Sequence, residues 1–372
     1  MLSGVGVGAS FAETVSIYNP APFDRNGVIV EIPGEKILKS FGRDFVVSDE
    51  NGNQLVQQVT YNGKILVETD VPANSTITLS VGKGNPGLAD TICVGQIRHD
   101  FQDDFTWEND RCGYRLYGPS YRNGGGNVAG YDIWTKSVDF PVLAQRYVDH
   151  CQHGVSYHKD YGNGMDCYTV GRTLGAGMNA LAPGGEIVYP CAYENVEILE
   201  NGPLCMTAKI ICYPENIGND KDVVEERLIT LDKGSWLNKT EVTYKGLSGR
   251  TPLVTGIVVH KQNMRGKVID PGRRYVAYVD LTDNPDNGNG VIYIGIVNAE
   301  LPETVVYEEY SPAVGDAVGQ ILNKTTVVPG ETYTYYWGSG WSKGGVKGVD
   351  DWKSKLEEFH ESLGYPIEVK VK

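Results

Sequence analysis

Glu331-Thr332-Tyr333-Thr334-Tyr335-Tyr336-Trp337 decides the fold class. Threonine and tyrosine alternate through it, so successive side chains point to opposite faces of an extended chain, one packed and one wet, as in a large sandwich. The same style recurs upstream, where Thr207 to Tyr213, Glu225 to Leu231, Thr240 to Lys245, Leu253 to His260, Tyr275 to Leu281 and Val291 to Val297 read as strands. Nearer the start, Val15 to Tyr18, Gly27 to Ile32, Phe45 to Ser48, Gln54 to Thr60, Lys64 to Thr69 and Thr76 to Val81 are shorter ones. Asn51-Gly52 and Asn62-Gly63 supply the positive-φ positions of tight turns between them. The run Gly82-Lys83-Gly84-Asn85-Pro86-Gly87 then breaks the pattern. The expectation is an all-β chain: a small N-terminal antiparallel β-sandwich over 13–85, then a large β-sandwich over 86–372. One helix closes it, with Asp350-Asp351 at its start, Trp352, Leu356, Phe359 and Leu363 on one face, and Gly364 as its stop.

Composition agrees, since 46 Gly and 23 Tyr beside 18 Pro suit many short strands joined by turns. A formal charge of −14 argues against nucleic acid or an anionic membrane as partner, because both require a basic surface. No apolar run is long enough for a membrane-spanning helix. The small apolar start, residues 1–12, ends in Ser10-Phe11-Ala12 and is similar to the tail of a signal peptide, so a periplasmic or extracellular location is expected. Seven cysteines (Cys93, Cys112, Cys151, Cys167, Cys191, Cys205 and Cys212) without zinc-type spacing indicate neither a metal knuckle nor a dense disulfide frame. The stretch 107–176 stands apart: it carries seven Arg or Lys against seven Asp or Glu, three of the six His and eight of the Tyr. Titratable groups gathered in glycine-punctuated sequence are how clefts are often built.

The densest run in that stretch is Tyr157-His158-Lys159-Asp160-Tyr161-Gly162-Asn163-Gly164-Met165-Asp166-Cys167-Tyr168, which reads as a site loop. Trp107-Glu108-Asn109-Asp110-Arg111 joins an aromatic plate to an amide, two carboxylates and a guanidinium, a kit for gripping sugars and carboxylates. An Asp110–Arg111 or Glu108–Arg115 structural pair is an equal alternative. His150, His153, His158, Asp160 and Asp166 crowd within 17 residues but match no familiar metal frame. Tyr147-Val148-Asp149 reads as extended, so His150 and His153 are not expected on one face, and neither a metal nor a cofactor is expected.

Trp107-Glu108-Asn109-Asp110-Arg111, His158-x-Asp160-x-Gly162-x-Gly164-Met165-Asp166-x-Tyr168-x-Val170-Gly171, Asn201-Gly202-Pro203, Gly338-Ser339-Gly340-Trp341-Ser342 and Asp351-Trp352 together resemble the family numbered 4861 among the domains of unknown function. The resemblance covers roughly 88–355 and leaves 1–85 unplaced. It implies a secreted protein of polysaccharide-degrading bacteria, a large sandwich similar to those of mutarotases and some polysaccharide lyases, and relatedness to a dehydratase acting on the uronate of algal oligosaccharides. The function expected is elimination of water, or of a sugar, β to the carboxylate of an acidic oligosaccharide. Such elimination needs neutralisation of the carboxylate, a base for the C5 proton and an acid for the oxygen leaving C4. Arg111, with Asn109 beside it, suits the first; His158 or Tyr157 the second; Tyr161, Tyr168 or His260 the third. Asp160 and Asp166 join them in binding, and Trp107, Trp337 and Trp341 (or Trp134) are expected as sugar platforms, although buried tryptophans are commoner. His260, at the end of the apolar run Gly256-Ile257-Val258-Val259, is also well explained as a hydrogen-bonded strand-end residue. A mutarotase or epimerase, which needs no carboxylate clamp, and a non-catalytic glycan-binding protein are the alternatives.

Overall fold

The structure is a computed structural model and describes residues 11–372. The expected signal-peptide remnant at 1–12 lies, but for its last two residues, outside the described residues. Two compact units are present: 1–91 with 202–205 and 362–372, and 92–201 with 206–361.

The small unit is a sandwich of two antiparallel sheets. One is ordered Glu368–Val371, Phe11–Asn19, Ser75–Lys83, Phe45–Ser48; the other is Arg25–Ile32, Ile65–Val71, Gln57–Val59. Alternation does the work: Val15 and Ile17 are buried while Thr14, Ser16 and Tyr18 between and beside them are part-exposed, and Val30, Ile32, Ile65 and Val67 meet them in one core. Gly63 takes φ +81° in the turn that joins the paired strands Gln57–Val59 and Ile65–Val71. Asn51-Gly52 makes a turn whose flanks join at the isolated bridge Ser48–Gln54, with the Gly52 amide donating to the Asp49 carbonyl at 3.1 Å. Two features were not legible in the sequence. A short helix, Glu35–Phe41, buries Ile37, and the chain's last strand returns to pair with the first, Val15 opposite Val371 and Ile17 opposite Val369. An otherwise bare edge of Phe11–Asn19 is thereby covered.

The large unit is a bigger sandwich. Its long sheet runs Asn195–Glu200, Cys205–Ile211, Asp220–Asp232, Leu237–Lys245, Tyr333–Trp341, Ile292–Asn298, Tyr275–Asp280, Lys267–Ile269, with Glu215–Ile217 appended to Asp220–Asp232. The second sheet is Ala176–Leu181, Thr251–His260, Ala317–Val327, Thr304–Val314. Strand Thr251–His260 is almost wholly buried, and Ile257, Val258 and Val259 belong to the core that also holds Ile292, Ile294 and Ile296 of the long sheet. A third sheet, Val94–Arg98, Asp104–Glu108, Gly113–Leu116, Asp132–Trp134, brings the site residues. All strands expected from alternation are present. The helix Val349–Leu363 lays Trp352 and Leu356 on Gly295, where a Cβ would come within 2.8 Å of Leu356.

Trp352 is fully buried and donates from Nε1 to the Ile294 carbonyl at 3.1 Å. Trp352→Ala is expected to cost about 3–5 kcal/mol, read as a lower urea midpoint at unchanged slope.

Candidate active site

The site is built from the third sheet outward. Register sets Arg115 opposite Thr106 on one side and opposite Asp132 on the other. The Arg115 guanidinium is buried and forked onto Asp132, with Nε to Oδ2 at 2.8 Å, and it also donates to Asp166 Oδ2 at 3.0 Å and to the Tyr117 hydroxyl at 3.1 Å. Asp104 Oδ2 lies 3.9 Å from it and accepts from the Tyr147 hydroxyl at 3.0 Å. One cation thus faces three buried carboxylates. Burial pushes the Asp104 carboxyl up to about 6 against the pull of Arg115. Burial also raises Asp132 and Asp166, Arg115 again opposing, and for Asp132 the neighbouring Asp166 adds to the rise.

Several expected site residues turn out to be framework. Trp107 is fully buried, stacked on Phe105 at 4.9 Å, and donates to Asn238 Oδ1 at 2.8 Å. Trp337 lies flat on Tyr131 at 4.1 Å, and Trp341 donates to the Asn289 carbonyl at 2.8 Å. Trp134 is buried against Tyr147. None of these four indoles offers a sugar platform, because the sandwich uses their area as core. Asn109 shapes its own turn: Oδ1 accepts from the Arg111 and Cys112 amides, and Nδ2 donates to the Asp232 and Ser235 carbonyls. Glu108 is buried with Lys136 at 2.7 Å and accepts from the Val142 and Leu143 amides. It thereby satisfies open N–H groups at the start of a helix, Leu143–His153. That helix corrects the extended reading of 147–149. Leu143, Arg146 and Tyr147 form its buried face, and Gly154 ends it in the left-handed region.

The run 157–168 is pinned rather than open. Asp160 Oδ1 accepts from the Gly162 and Gly164 amides, a local turn rather than a substrate contact. Gly164 has φ +108°, and a Cβ there would sit 2.1 Å from the Thr135 carbonyl, so only glycine fits. Tyr157 is wedged between Trp134 and His150, at 4.6 and 4.1 Å between rings. Tyr161 is exposed beside Lys159. His158 is about half exposed, with Nδ1 3.1 Å from the Asp166 carbonyl. Burial raises the phenols of Tyr157 and Tyr168, so neither is drawn toward phenolate. Arg111 stacks over Trp236 at 5.3 Å and lies 3.4 Å from Asp110, at the mouth of a surface cavity of ≈ 380 Å³ shared with Asp139 and Phe140. Among the described residues no contact joins it to His158 or His260.

Tyr168 and His260, in contrast, meet. Their rings are 5.6 Å apart. His260 ends a strand of the second sheet and Asp280 ends a strand of the long one; His260 Nδ1 is 2.6 Å from Asp280 Oδ2. Asp280 Oδ1 accepts from the Thr282 amide at 2.7 Å. In the neutral ring, a proton on Nδ1 directed at the carboxylate leaves the lone pair on Nε2. His260 Nε2, the Tyr168 hydroxyl and Thr282 Oγ1 are all buried without a hydrogen-bond partner. Such groups are rare and call for an explanation, and a site that holds water or substrate supplies one. Thr282 adds a second sign, since φ +72° is a strained value for a β-branched residue and strain collects at functional sites. Asp280 and Thr282 were missed in the sequence, although the end of an apolar strand at Asp280 beside the one at His260 was a usable signal. Among the described residues no group of three His, Cys, Asp or Glu is placed to hold a metal ion.

The chain belongs to the family of the domain of unknown function DUF4861, whose model matches residues 17–369 and so takes in most of the small unit that the sequence resemblance left unplaced. It is 24% identical over 360 residues to Uncharacterized protein P7 of Formosa agariphila, covering 92% of this chain and 84% of that one. Its fold is similar to that of a protein in glycosyl hydrolase family 38 from Enterococcus faecalis, at a TM-score of 0.51 and 10% identity over 98% of this chain. An alpha-mannosidase from Enterococcus faecalis V583 aligns at a TM-score of 0.47 and 10% identity over 97% of this chain. The chain spans about half the length of these solved structures, 48% and 46%.

The carboxyl cluster makes a pH signature. Asp104 titrates near 3.8 when unfolded and about 6 when folded, so the folded state holds the extra proton between these values. The contribution of Asp104 is therefore greatest below pH 4 and falls as pH rises through about 6. Asp104→Asn should remove it: the parent's unfolding free energy, measured against the variant's, is expected to drop by about 2–3 kcal/mol from pH 4 to pH 7.

Proposed function

We propose that this protein is a carbohydrate-active enzyme that eliminates water, or a sugar, β to the carboxylate of a uronic acid in an acidic oligosaccharide, and that it acts outside the cytoplasm. The observation that carries the reading is the His260–Asp280 pair with its outer nitrogen unpartnered beside an unpartnered Tyr168 hydroxyl. Likeness to a glycosyl hydrolase is a likeness of fold and makes a sugar substrate reasonable. Relatedness to the uronate dehydratase comes from the sequence resemblance.

In this reading His260 Nε2 takes the C5 proton. The electrons of that C–H bond form the C4=C5 double bond, the C4–O bond breaks, and Tyr168 donates its phenolic proton to the leaving oxygen. Asp280 stabilises the imidazolium that forms, and burial keeps Tyr168 protonated until it is needed. Tyr168 keeps the acid role expected from the sequence, whereas His260, expected there as an acid, is here the base in place of His158 or Tyr157; those two and Tyr161 lie outside this pair, where they shape or flank the 157–168 run.

An epimerase or mutarotase is the second reading, and one observation favours it: a His–carboxylate pair is present while Arg111, the expected clamp, is joined to neither histidine.

Incubation with saturated and unsaturated uronate oligosaccharides followed by mass spectrometry separates the classes. Loss of one water or cleavage is expected; an unchanged mass with changed anomeric or C5 configuration by NMR points to the second reading, and no change at all to a binding protein. On a converted substrate, His260→Asn, which keeps a polar side chain toward the buried Asp280 carboxylate, is expected to lower the rate about 10²- to 10⁴-fold in a variant that still unfolds cooperatively. A near-parental rate would remove His260 from the mechanism.

A further inference from the structure

A base and an acid are not sufficient for this elimination, because charge building at C5 must be met by a donor on the substrate carboxylate. Arg115 cannot serve, being buried and committed to its aspartates. Among the described residues Arg111 contacts neither His158 nor His260, and it opens on a cavity of its own. Strand pairing around His260 supplies a donor of a different kind.

Val258 of the strand Thr251–His260 pairs with Gln320 of the strand Ala317–Val327, and Gln320 pairs in turn with Glu308 of the strand Thr304–Val314. Paired residues share a face, and so do residues two apart on one strand, so Gln320 stands on the same side of the second sheet as Val258 and His260. The register slips between Val259, opposite Gly319, and His260, opposite Ala317, but the extra residue, Val318, belongs to the partner strand and leaves the alternation up to His260 intact. Diagonal neighbours in such a pairing lie about 7–8 Å apart, within reach of a long side chain.

Side-chain contacts agree with this placement. Tyr310, two residues beyond Glu308, donates from its hydroxyl to Gln320 Oε1 at 2.8 Å. Gly256 and Leu322 are the next pair on the same face, and a Cβ on Gly256 would come within 2.7 Å of both Leu174 Cδ1 and Leu322 Cδ2, so the chain just after Tyr168 lies over it. The Tyr168 ring is itself 5.6 Å from that of His260. Gln320 is only 2% exposed, and its oxygen is engaged by Tyr310, yet among the described residues its Nε2 makes no hydrogen bond. Lys324, further along the same face, is held by Glu308.

We propose that Gln320, oriented by Tyr310, donates from Nε2 to the carboxylate of the substrate whose C5 proton His260 takes. This rests on the uronate reading above and supplies the element that reading lacks. An amide is a weaker donor than a guanidinium, but the hydrogen bond accepted at Oε1 polarises it and strengthens the donor end. An oriented amide dipole also meets building charge without the cost of burying an unpaired cation when the site is empty.

The test uses the full chain with a disaccharide ending in a saturated uronate and with its carboxyl-reduced, neutral counterpart. Turnover of the first is followed by mass spectrometry; calorimetry measures binding of the second, and of the first where it is not converted. Gln320→Glu keeps the shape but replaces the donor with a carboxylate, and is expected to lower kcat/KM for the acidic disaccharide about 10²- to 10³-fold near neutral pH. Relative to the parent, that deficit is expected to shrink about tenfold toward pH 5, where the new carboxyl regains a proton to donate. Tyr310→Phe keeps the ring and frees the amide, for an expected loss of about 3- to 10-fold. Both variants are expected to bind the neutral disaccharide as the parent does. Parental kcat/KM in Gln320→Glu, a deficit that does not change with pH, or an equal loss for the neutral disaccharide overturns the clamp, and a parent that still converts its substrate leaves the elimination reading standing. If Gln320→Glu does not fold, Tyr310→Phe decides by the same comparison of acidic with neutral ligand. If the parent binds the acidic disaccharide in a Gln320-dependent way without converting it, the clamp stands and the elimination reading fails. If the parent binds neither disaccharide, both are overturned.

Discussion

The buried Arg115 guanidinium is the interaction on which the site's geometry depends. It gathers Asp104, Asp132 and Asp166, which belong to two strands and to the 157–168 run, and so ties an irregular segment to a regular sheet. A buried cation of this kind is costly unless its donors are met, and removing one partner leaves an uncompensated charge. Burial is the main reason that the three carboxyls are raised, with Arg115 opposing the rise in each and Asp166 adding to it at Asp132. Asp166-Cys167-Tyr168 then leads directly from this cluster to the histidine. Cys167 helps hold the far side, its carbonyl accepting from the Asp283 amide.

The His260–Asp280 pair depends on a different constraint, the closure of one sheet upon the other. Each residue ends a strand, and the two strands belong to opposite layers, so the 2.6 Å contact exists only when the sandwich is packed. Tyr278 reinforces it by exchanging hydrogen bonds with the His260 backbone, its hydroxyl accepting from the amide at 3.0 Å and donating to the carbonyl at 3.2 Å. Rigid strand ends are good places for proton-transfer groups, because the core holds them in position without a loop's freedom.

The layered fold was legible because alternation is a local signal. Thr332 to Tyr335 shows its period in four residues, and the structure has the expected strand there. The site was less legible, for a physical reason that Trp107-Glu108-Asn109 illustrates. Aromatic, carboxylate and amide side chains serve equally well for gripping a sugar and for filling a core, satisfying a helix start and closing a turn, and only burial separates the uses. Helix Leu143–His153 escaped because its first amides are satisfied by Glu108, more than thirty residues upstream, and not by a local cap. Asp280 escaped because its partner lies twenty residues away on another sheet. Tyr168 and His260 were legible only as two of many titratable residues.

Density of polar residues and location of chemistry therefore separate in this protein. The run from Tyr157 to Asp166 is rich in His, Asp and Tyr, yet its groups are largely spent on one another and on the backbone. Three unpartnered polar atoms lie instead at His260, Tyr168 and Thr282. An unmet hydrogen-bonding atom is expensive to bury, so a fold that keeps several together must recover the cost when something binds. Unmet atoms also occur elsewhere, as at Trp134 Nε1 and His150 Nδ1; what sets His260 apart is that its unmet nitrogen belongs to a ring already paired with a carboxylate, beside the unmet Tyr168 hydroxyl.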